Sequence, residues 1–325
     1  MLDEICIRRR AGRKFDPDSV LKSRWTILSS LSHCGSQTSD GCFNRGIKLI
    51  QENSTGRLCV LKMLPPDICS PGHAAHEIRI LRDLKRYNGC GGHANVLRLL
   101  DADDGSKHPH DIPWTVTELC DRGTLAQLVK LYGDERLHLP EAFLWHVFEG
   151  LSEAVRFCHG QGVVHRDITL TNVFLQSSGR RHAYPRIQLG DFGCAVTRTD
   201  LAQFPFGSFF PGNPRFMPPE GCEAEPACDI YQIGLVLLCL YMCDLNPTEC
   251  LADFLNGQDA RGGKGSRELE ILVKWCLASK GEERPSADVL VKKIRKLKVE
   301  RQGGSLFEEL MEMQKEVGFE SDSTG

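Results

Sequence analysis

His165-Arg166-Asp167-Ile168-Thr169-Leu170-Thr171-Asn172, followed downstream by Asp191-Phe192-Gly193, decides how this chain is read. The first stretch sets a carboxylate at Asp167 and an amide oxygen at Asn172. The second adds the carboxylate of Asp191. Carboxylate and amide oxygens are hard donors that suit Mg²⁺. A further carboxylate beside them can accept or orient a hydroxyl proton. Any one of these residues alone is an ordinary polar side chain; their order and spacing carry the argument.

Working outward, a strand-like run Cys59-Val60-Leu61 ends in Lys62, and His76-Glu77-Ile78 lies in a helical stretch from Ala74 to Arg86 with apolar residues at Ile78, Leu81 and Leu84. Val116-Thr117-Glu118-Leu119-Cys120 comes next. Beyond Gly193 come Met217-Pro218-Pro219-Glu220, then Asp229-Ile230-Tyr231-Gln232-Ile233-Gly234, then Arg284-Pro285-Ser286-Ala287. In this combination of motifs the chain resembles a eukaryotic protein kinase over roughly residues 24–297. Small-molecule phosphotransferases share H-x-D and D-x-G elements but seldom carry all three downstream motifs. Within the family, Asn172-Val173-Phe174-Leu175 and Gly41-Cys42-Phe43-Asn44-Arg45-Gly46 resemble the NIMA-related and fungal NIMA-like group.

The resemblance implies an α+β bilobal fold, with a small β-rich N-lobe carrying one main helix and a larger helical C-lobe. It implies ATP and Mg²⁺ as cofactors and a protein serine or threonine hydroxyl as acceptor. Lys62 is then expected to reach the α- and β-phosphates, held by an ion pair to Glu77. Gly41, Gly46, Glu118, Cys120 and Phe174 join Lys62 as the ATP-contacting set, and Thr117 falls on a small gatekeeper position that predicts an open back pocket. Asp167 is the expected catalytic base or hydroxyl-orienting group, and Arg166 the expected partner of a phosphate or carboxylate from the activation segment. Asn172 and Asp191 are the expected metal ligands, and Glu220 with Arg284 a buried ion pair.

Three departures from the family pattern stand out. Of the glycines that should precede Lys62, only Gly41 and Gly46 are found, with Asn44 at an expected glycine. Glycines let backbone amides approach phosphates closely, so their loss predicts weaker ATP binding or an altered path of the loop. Thr169 stands where serine/threonine kinases usually carry lysine. Gly212-Asn213-Pro214-Arg215-Phe216 replaces G-T-P-x-Y, and Asn213 is expected to bond Asp167 and Thr169 directly. These changes keep a rival reading open: a kinase-fold binding or scaffold module with little turnover. In the activation segment, Asp191 to Glu220, Thr197, Thr199 and Ser208 are candidate phosphorylation sites.

Composition sets the frame. With 325 residues, 41% hydrophobic, 26% charged and a net charge of −3, the chain gives no reason to expect nucleic acid as a partner. Its 15 cysteines are scattered without a C-x-x-C pair, which argues for reduced thiols and a cytoplasmic or nuclear setting. MLDEICIRRR lacks the apolar core of a signal peptide, and the run Ile230 to Met242 is too short to span a bilayer, so no membrane is expected.

Strands are expected at Trp25–Leu28, Ile47–Gln51, Leu58–Leu64, Val96–Leu100 and Trp114–Thr117, and a long helix from Pro140 to His159. The expected organisation is a basic extension over 1–22, a kinase domain over 23–298 divided at 120/121, and a tail over 299–325. The tail carries Leu306-Phe307, Leu310-Met311 and Met313 at helical spacing and ends in a polar stretch expected to be disordered. That amphipathic pattern suits either docking on its own domain or a regulatory partner.

Overall fold

The structure, a computed structural model, describes residues 24–31, 46–64, 71–87, 92–106, 112–179, 183–203, 212–221, 225–257 and 266–301. The basic extension, Gly41, Asn44, Ser208 and the tail after Arg301 lie outside the described residues. The chain divides into two compact units. The first comprises Met1–Arg79 and Leu99–Leu119, the second Ile80–Arg98 and Cys120–Gly325.

The first unit is built on an antiparallel sheet of five strands: β1 (Trp25–Ser30), β2 (Ile47–Glu52), β3 (Leu58–Met63), β4 (Leu99–Asp103) and β5 (Trp114–Glu118). Their order is β1-β2-β3-β5-β4. β3 shows how sequence sets the faces. Successive side chains alternate, so Cys59, Leu61 and Met63 are buried with Trp25, Ile50, Trp114 and Val116 in one core. Val60 and Lys62 therefore point to the opposite face. Cross-strand partners share a face, and Thr115 pairs with Lys62 while Thr117 pairs with Val60. The gatekeeper position and the lysine thus occupy the same side of the sheet. The helix α1 (Pro71–Arg86) begins in this unit, where Ala74 and Ile78 pack on Leu64.

The strand expected at Val96–Leu100 is displaced toward the C-terminus. Val96 forms a parallel bridge to Leu189, and the Leu97 N–H donates to the Leu189 carbonyl at 2.8 Å. The apolar run is therefore shared between two neighbours, and β4 starts only at Leu99.

The second unit is helical. Its helices are α2 (Leu125–Asp134), α3 (Glu141–Gly160), α4 (Arg198–Gln203), α5 (Pro226–Met242), α6 (Pro247–Leu255), α7 (Arg267–Cys276) and α8 (Ala287–Arg301). α5 is apolar around its whole circumference and buried along nearly its full length, as a central helix must be. α3 packs on α5 and on α8, and α7 packs on α5. Pro140 is the residue before α3 rather than its first residue. Two small antiparallel sheets complete the unit: β6 (Val163–Val164) with β9 (Val196–Thr197), and β7 (Val173–Gln176) with β8 (Arg186–Leu189). Among the described residues no single helix is long and apolar enough to cross a membrane. Eight described cysteines carry free thiols.

Candidate active site

In the first unit, Lys62 Nζ lies 3.2 Å from Glu77 Oε1, and Glu77 is buried. β3 supplies the lysine and α1 the glutamate. Gly46 has φ +98°, and a Cβ there would stand 3.1 Å from Met63 Cβ. Glu118 closes β5 with its side chain buried and 3.7 Å from Arg57 Nη2.

In the second unit, Asp167 is clamped from both sides. Asn172 Nδ2 donates to Asp167 Oδ2 at 2.8 Å and to the Asp167 carbonyl at 2.9 Å. The Asn213 backbone N–H donates to Asp167 Oδ1 at 2.7 Å. The preceding residue, Gly212, has φ +85°, and a Cβ there would sit 2.3 Å from the Arg166 carbonyl oxygen. Only glycine allows that approach.

The loop that carries Asp167 is itself strained, with Arg166 at φ 68°. Two polar residues of the apolar helix α5 hold it. Asp229 Oδ1 accepts the Arg166 N–H at 2.7 Å, and Oδ2 accepts the His165 N–H at 2.9 Å. His159 Nε2 lies 2.8 Å from the same Oδ2. Gln232 donates to the Arg166 carbonyl at 2.9 Å and accepts the Ile168 N–H at 2.8 Å. His165 Nδ1 accepts the Asp167 N–H at 3.3 Å, which leaves Nε2–H to donate to the Gly190 carbonyl at 3.1 Å. The His165 ring meets Phe192 edge-on at 4.7 Å. One buried imidazole therefore ties the Asp167 loop to the Asp191-Phe192-Gly193 segment. Asp191 is at φ 59°. Further along, Arg284 grips Glu220 with two hydrogen bonds of 2.6 and 2.8 Å.

The sequence pattern of the protein kinase domain matches residues 41–294. The chain belongs to the protein kinase domain family. It is 29% identical over 263 residues to the human serine/threonine-protein kinase Nek2, covering 74% of this chain and 54% of that protein. It is 26% identical over 321 residues to the rat interferon-induced, double-stranded RNA-activated protein kinase, covering 90% of this chain and 57% of that one. Against the probable serine/threonine-protein kinase zyg-1 of Caenorhabditis briggsae it is 29% identical over 182 residues, 55% of this chain and 23% of the relative. The chain thus spans between about a quarter and somewhat over half the length of these curated relatives. Nek2 and the mouse Nek9 agree with the NIMA-related flavour read from the motifs.

Electrostatics distinguish the carboxylates of this kinase domain. Burial raises the Asp167 carboxyl above its ordinary value, and the charge of Asp191 adds to this, against lowering by His165, the Asn213 N–H and Asn172. Asp229 goes the other way. Burial alone would raise it, but the hydrogen bond and charge of His159 and the Arg166 N–H outweigh burial and hold it below the usual carboxylate value. Cys194 follows Gly193; burial, with Asp167 and Asp191 nearby, pushes its thiol up to about 12, so it is protonated and unreactive at neutral pH.

The donor set fits Mg²⁺. With both Asn172 amide hydrogens engaged by Asp167, the amide oxygen is the atom left for a cation, and the charge of Asp191 is felt at the same Asp167. Among the described residues no group of three or more His, Cys, Asp and Glu side chains could hold a metal ion. One or two protein oxygens supplemented by phosphate oxygens is the way Mg²⁺ is held in phosphotransfer sites.

Several expectations change in detail. The Asn213 side chain does not reach Asp167 or Thr169: its Oδ1 accepts the Arg215 N–H at 3.0 Å and caps the short 3₁₀ turn Pro214–Phe216, while its backbone serves Asp167. Thr169 Oγ1 instead lies 2.9 Å from Thr171 Oγ1. Arg166 is buried and donates from Nη1 to the Cys194 carbonyl at 3.3 Å. Thr197 Oγ1 donates to Asp200 Oδ2 at 2.6 Å, a local cap at the start of α4, while Thr199 is exposed. Cys120 Sγ donates to Gln188 Oε1 at 2.9 Å. Phe174 packs against Gly190, where a Cβ would come within 2.9 Å of its ring.

The residues that sequence reasoning missed are Gln232 and the clamping role of Asp229. The signal was present: two polar residues three apart inside an otherwise apolar helix need buried partners.

Proposed function

We propose that this kinase domain transfers the γ-phosphoryl group of ATP to serine or threonine hydroxyls of protein substrates. The observation that carries the reading is the Asp167 carboxylate, fixed by Asn172 at 2.8 Å and the Asn213 N–H at 2.7 Å. Each of those bonds takes one lone pair, so the remaining pairs can receive a substrate hydroxyl hydrogen. Lys62, steadied by Glu77, supplies a positive charge for the α- and β-phosphates. Asn172 and Asp191 would hold Mg²⁺, which, when bound, neutralises phosphate charge. Asp167 orients the acceptor oxygen and takes its proton as the phosphoryl group departs ADP.

Thr169 removes a cation from the neighbourhood of the transferred group. By analogy with losing one electrostatic donor, this costs about 2–4 kcal/mol of transition-state stabilisation. Slow turnover rather than none is therefore expected, with relaxed dependence on that position.

The test is Mg²⁺-ATP turnover on protein and peptide mixtures by the wild type beside Asp167→Asn and Lys62→Met. Phosphoserine or phosphothreonine above both variants supports the proposal. Equal background in all three overturns it and leaves a binding module, for which ATP-dependent thermal stabilisation is the next measurement. Phosphorylation of metabolites alone would reassign the substrate class.

A further inference from the structure

The outward face of α7 carries an exposed stripe in which Trp275 Nε1–H donates to the Glu283 carbonyl at 3.0 Å while the apolar surface beside it stays open. Arg267, Ile271, Lys274 and Trp275 lie at intervals of four, three and one residue, which places them along one side of a helix. All four are exposed, Ile271 by 53% and Trp275 by 36%. The opposite face, Leu269, Leu272, Val273 and Cys276, is buried. Lys274 additionally lies over the Phe254 ring at 5.3 Å, which fixes the cation beside the apolar pair. The stripe is thus an apolar centre flanked by positive charge.

The C-terminal end of α8 and the N-terminal end of α7 both lie toward the start of α3. α8 runs antiparallel to α3: Arg156 pairs with Asp288 at 3.9 Å, while Glu149 pairs with Lys298 at 2.5 Å. The C-terminal end of α8 therefore heads for the start of α3. There Glu141 accepts hydrogen bonds from the Ser266 N–H at 2.9 Å and Oγ at 2.6 Å, and Ser266 is the N-cap of α7. Glu141 is eight residues before Glu149 and Arg301 three beyond Lys298. Along the axis, about 7–8 Å separates the end of α8 from the level of Ser266. The five steps from Arg301 to Leu306, through Gly303 and Gly304, span up to about 17 Å when extended.

The residues after that spacer have the matching chemistry. At helical spacing, Leu306, Leu310, Met313 and Val317 form one apolar face, and Glu308, Glu309, Glu312 and Glu316 an acidic one beside it. A helix from Leu306 to Val317 would be about 17 Å long, enough to cover the roughly 12 Å from Arg267 to Trp275. We infer that residues 306–317 dock in cis on the α7 stripe, apolar face on Ile271 and Trp275, glutamates toward Arg267 and Lys274. Covalent attachment through a short spacer favours this arrangement over a second copy at ordinary concentrations.

A carbodiimide, which joins an amine to a carboxylate in direct contact, tests this on the full chain. Peptide mapping is expected to show Lys274 linked to one of Glu308, Glu309, Glu312 or Glu316 in monomeric protein, with a yield unchanged on dilution. The Lys298–Glu149 contact at 2.5 Å provides an internal link that reports an intact fold. Ile271→Ser, at an exposed position and without a new carboxylate beside Lys274, is expected to lower the Lys274 link about tenfold, the factor that losing one aliphatic contact corresponds to, and to spare the internal link. Absence of any Lys274 link to these glutamates while the internal link forms overturns the inference. So does a Lys274 link found only in dimers and lost on dilution, which would assign the stripe to a second copy.

Discussion

Asp229 holds Arg166 in a backbone conformation that arginine does not choose. The Asp229 Oδ1 to Arg166 N–H hydrogen bond is 2.7 Å long, and Arg166 sits at φ 68°. A left-handed residue other than glycine costs about 1–2 kcal/mol, and the fully buried carboxylate offsets that strain together with the Gln232 bond to the Arg166 carbonyl. The geometry of Asp167, the next residue, depends on that hold. In Asp229→Asn one amide NH₂ must face a donor, His165 N–H or Arg166 N–H. Denaturant unfolding is expected to show a loss of about 2–4 kcal/mol. Turnover measured where the variant is still folded should fall at least about tenfold, as a small misplacement of a reacting group does. Wild-type turnover in a folded Asp229→Asn protein would show that Asp167 is placed by other contacts.

The raised carboxyl of Asp167 gives the pH dependence a definite sign. The proposed role needs the ionised form. Because burial, with Asp191, lifts the folded value above that of an ordinary aspartate, ionisation is lost earlier on acidification than for an exposed aspartate. The acid limb of a kcat against pH profile should therefore begin above the pH at which an ordinary aspartate titrates. In Asp191→Asn the neighbouring charge is gone, and the residual activity should show that limb moved to lower pH. A profile flat from neutral pH down to the ordinary aspartate range would contradict the assignment of Asp167 as proton acceptor.

Glu220 and Arg284 differ in what their loss should do. The Arg284 side chain is fully buried and also donates to the carbonyls of Ala278, Ala227 and Ser279, while the Glu220 side chain is 40% exposed. Arg284→Met leaves those carbonyls unpaired and should cost about 3–5 kcal/mol. Glu220→Gln keeps an oxygen for the guanidinium, leaves the other bonds in place, and should cost less. Burial opposes ionisation of Glu220, but Arg284 outweighs it and keeps the folded value below the usual one. The pair therefore stabilises the fold above the ordinary glutamate value, and that contribution is lost as pH falls through the lowered folded value. Equilibrium unfolding of both variants at neutral and acidic pH checks the order, and the gap between wild type and Glu220→Gln should narrow in acid.

Much of this site was legible because its residues are spaced locally. Asp167 and Asn172 lie on one loop, and Lys62 and Glu77 on a strand and the helix that follows it. The alternation along Leu58–Met63 is enough to assign the two faces of β3. What was not legible were bonds whose sequence separation is long and whose chemistry belongs to the backbone. Gln232 reaches the Arg166 carbonyl across 66 positions. The Asn213 role passes from side chain to main chain because its carbonyl oxygen finds a nearer partner, the Arg215 N–H. The run at Val96–Leu100 looked like one strand because periodicity cannot show that its two ends bond to different sheets.

The Asn213 backbone contact yields a test that separates donor from side chain. Asn213→Ala removes only the cap on the Pro214–Phe216 turn, worth about 1 kcal/mol, and leaves the N–H that meets Asp167 at 2.7 Å. Turnover should stay within about twofold of wild type once folding is complete, since no transition-state contact is lost. Asn213→Pro keeps the φ of −76° but replaces that N–H by the ring Cδ, which points at the Asp167 carboxylate, so it removes the donor and pushes the carboxylate away. Its stability should fall below that of Asn213→Ala, so the two are compared under conditions where both are folded. Its kcat should fall by about tenfold or more, because one of the two hydrogen bonds that fix the Asp167 carboxylate is gone. Equal turnover in the alanine and proline variants would show that the backbone donor does not contribute, and a large loss in the alanine variant would return the role to the asparagine side chain.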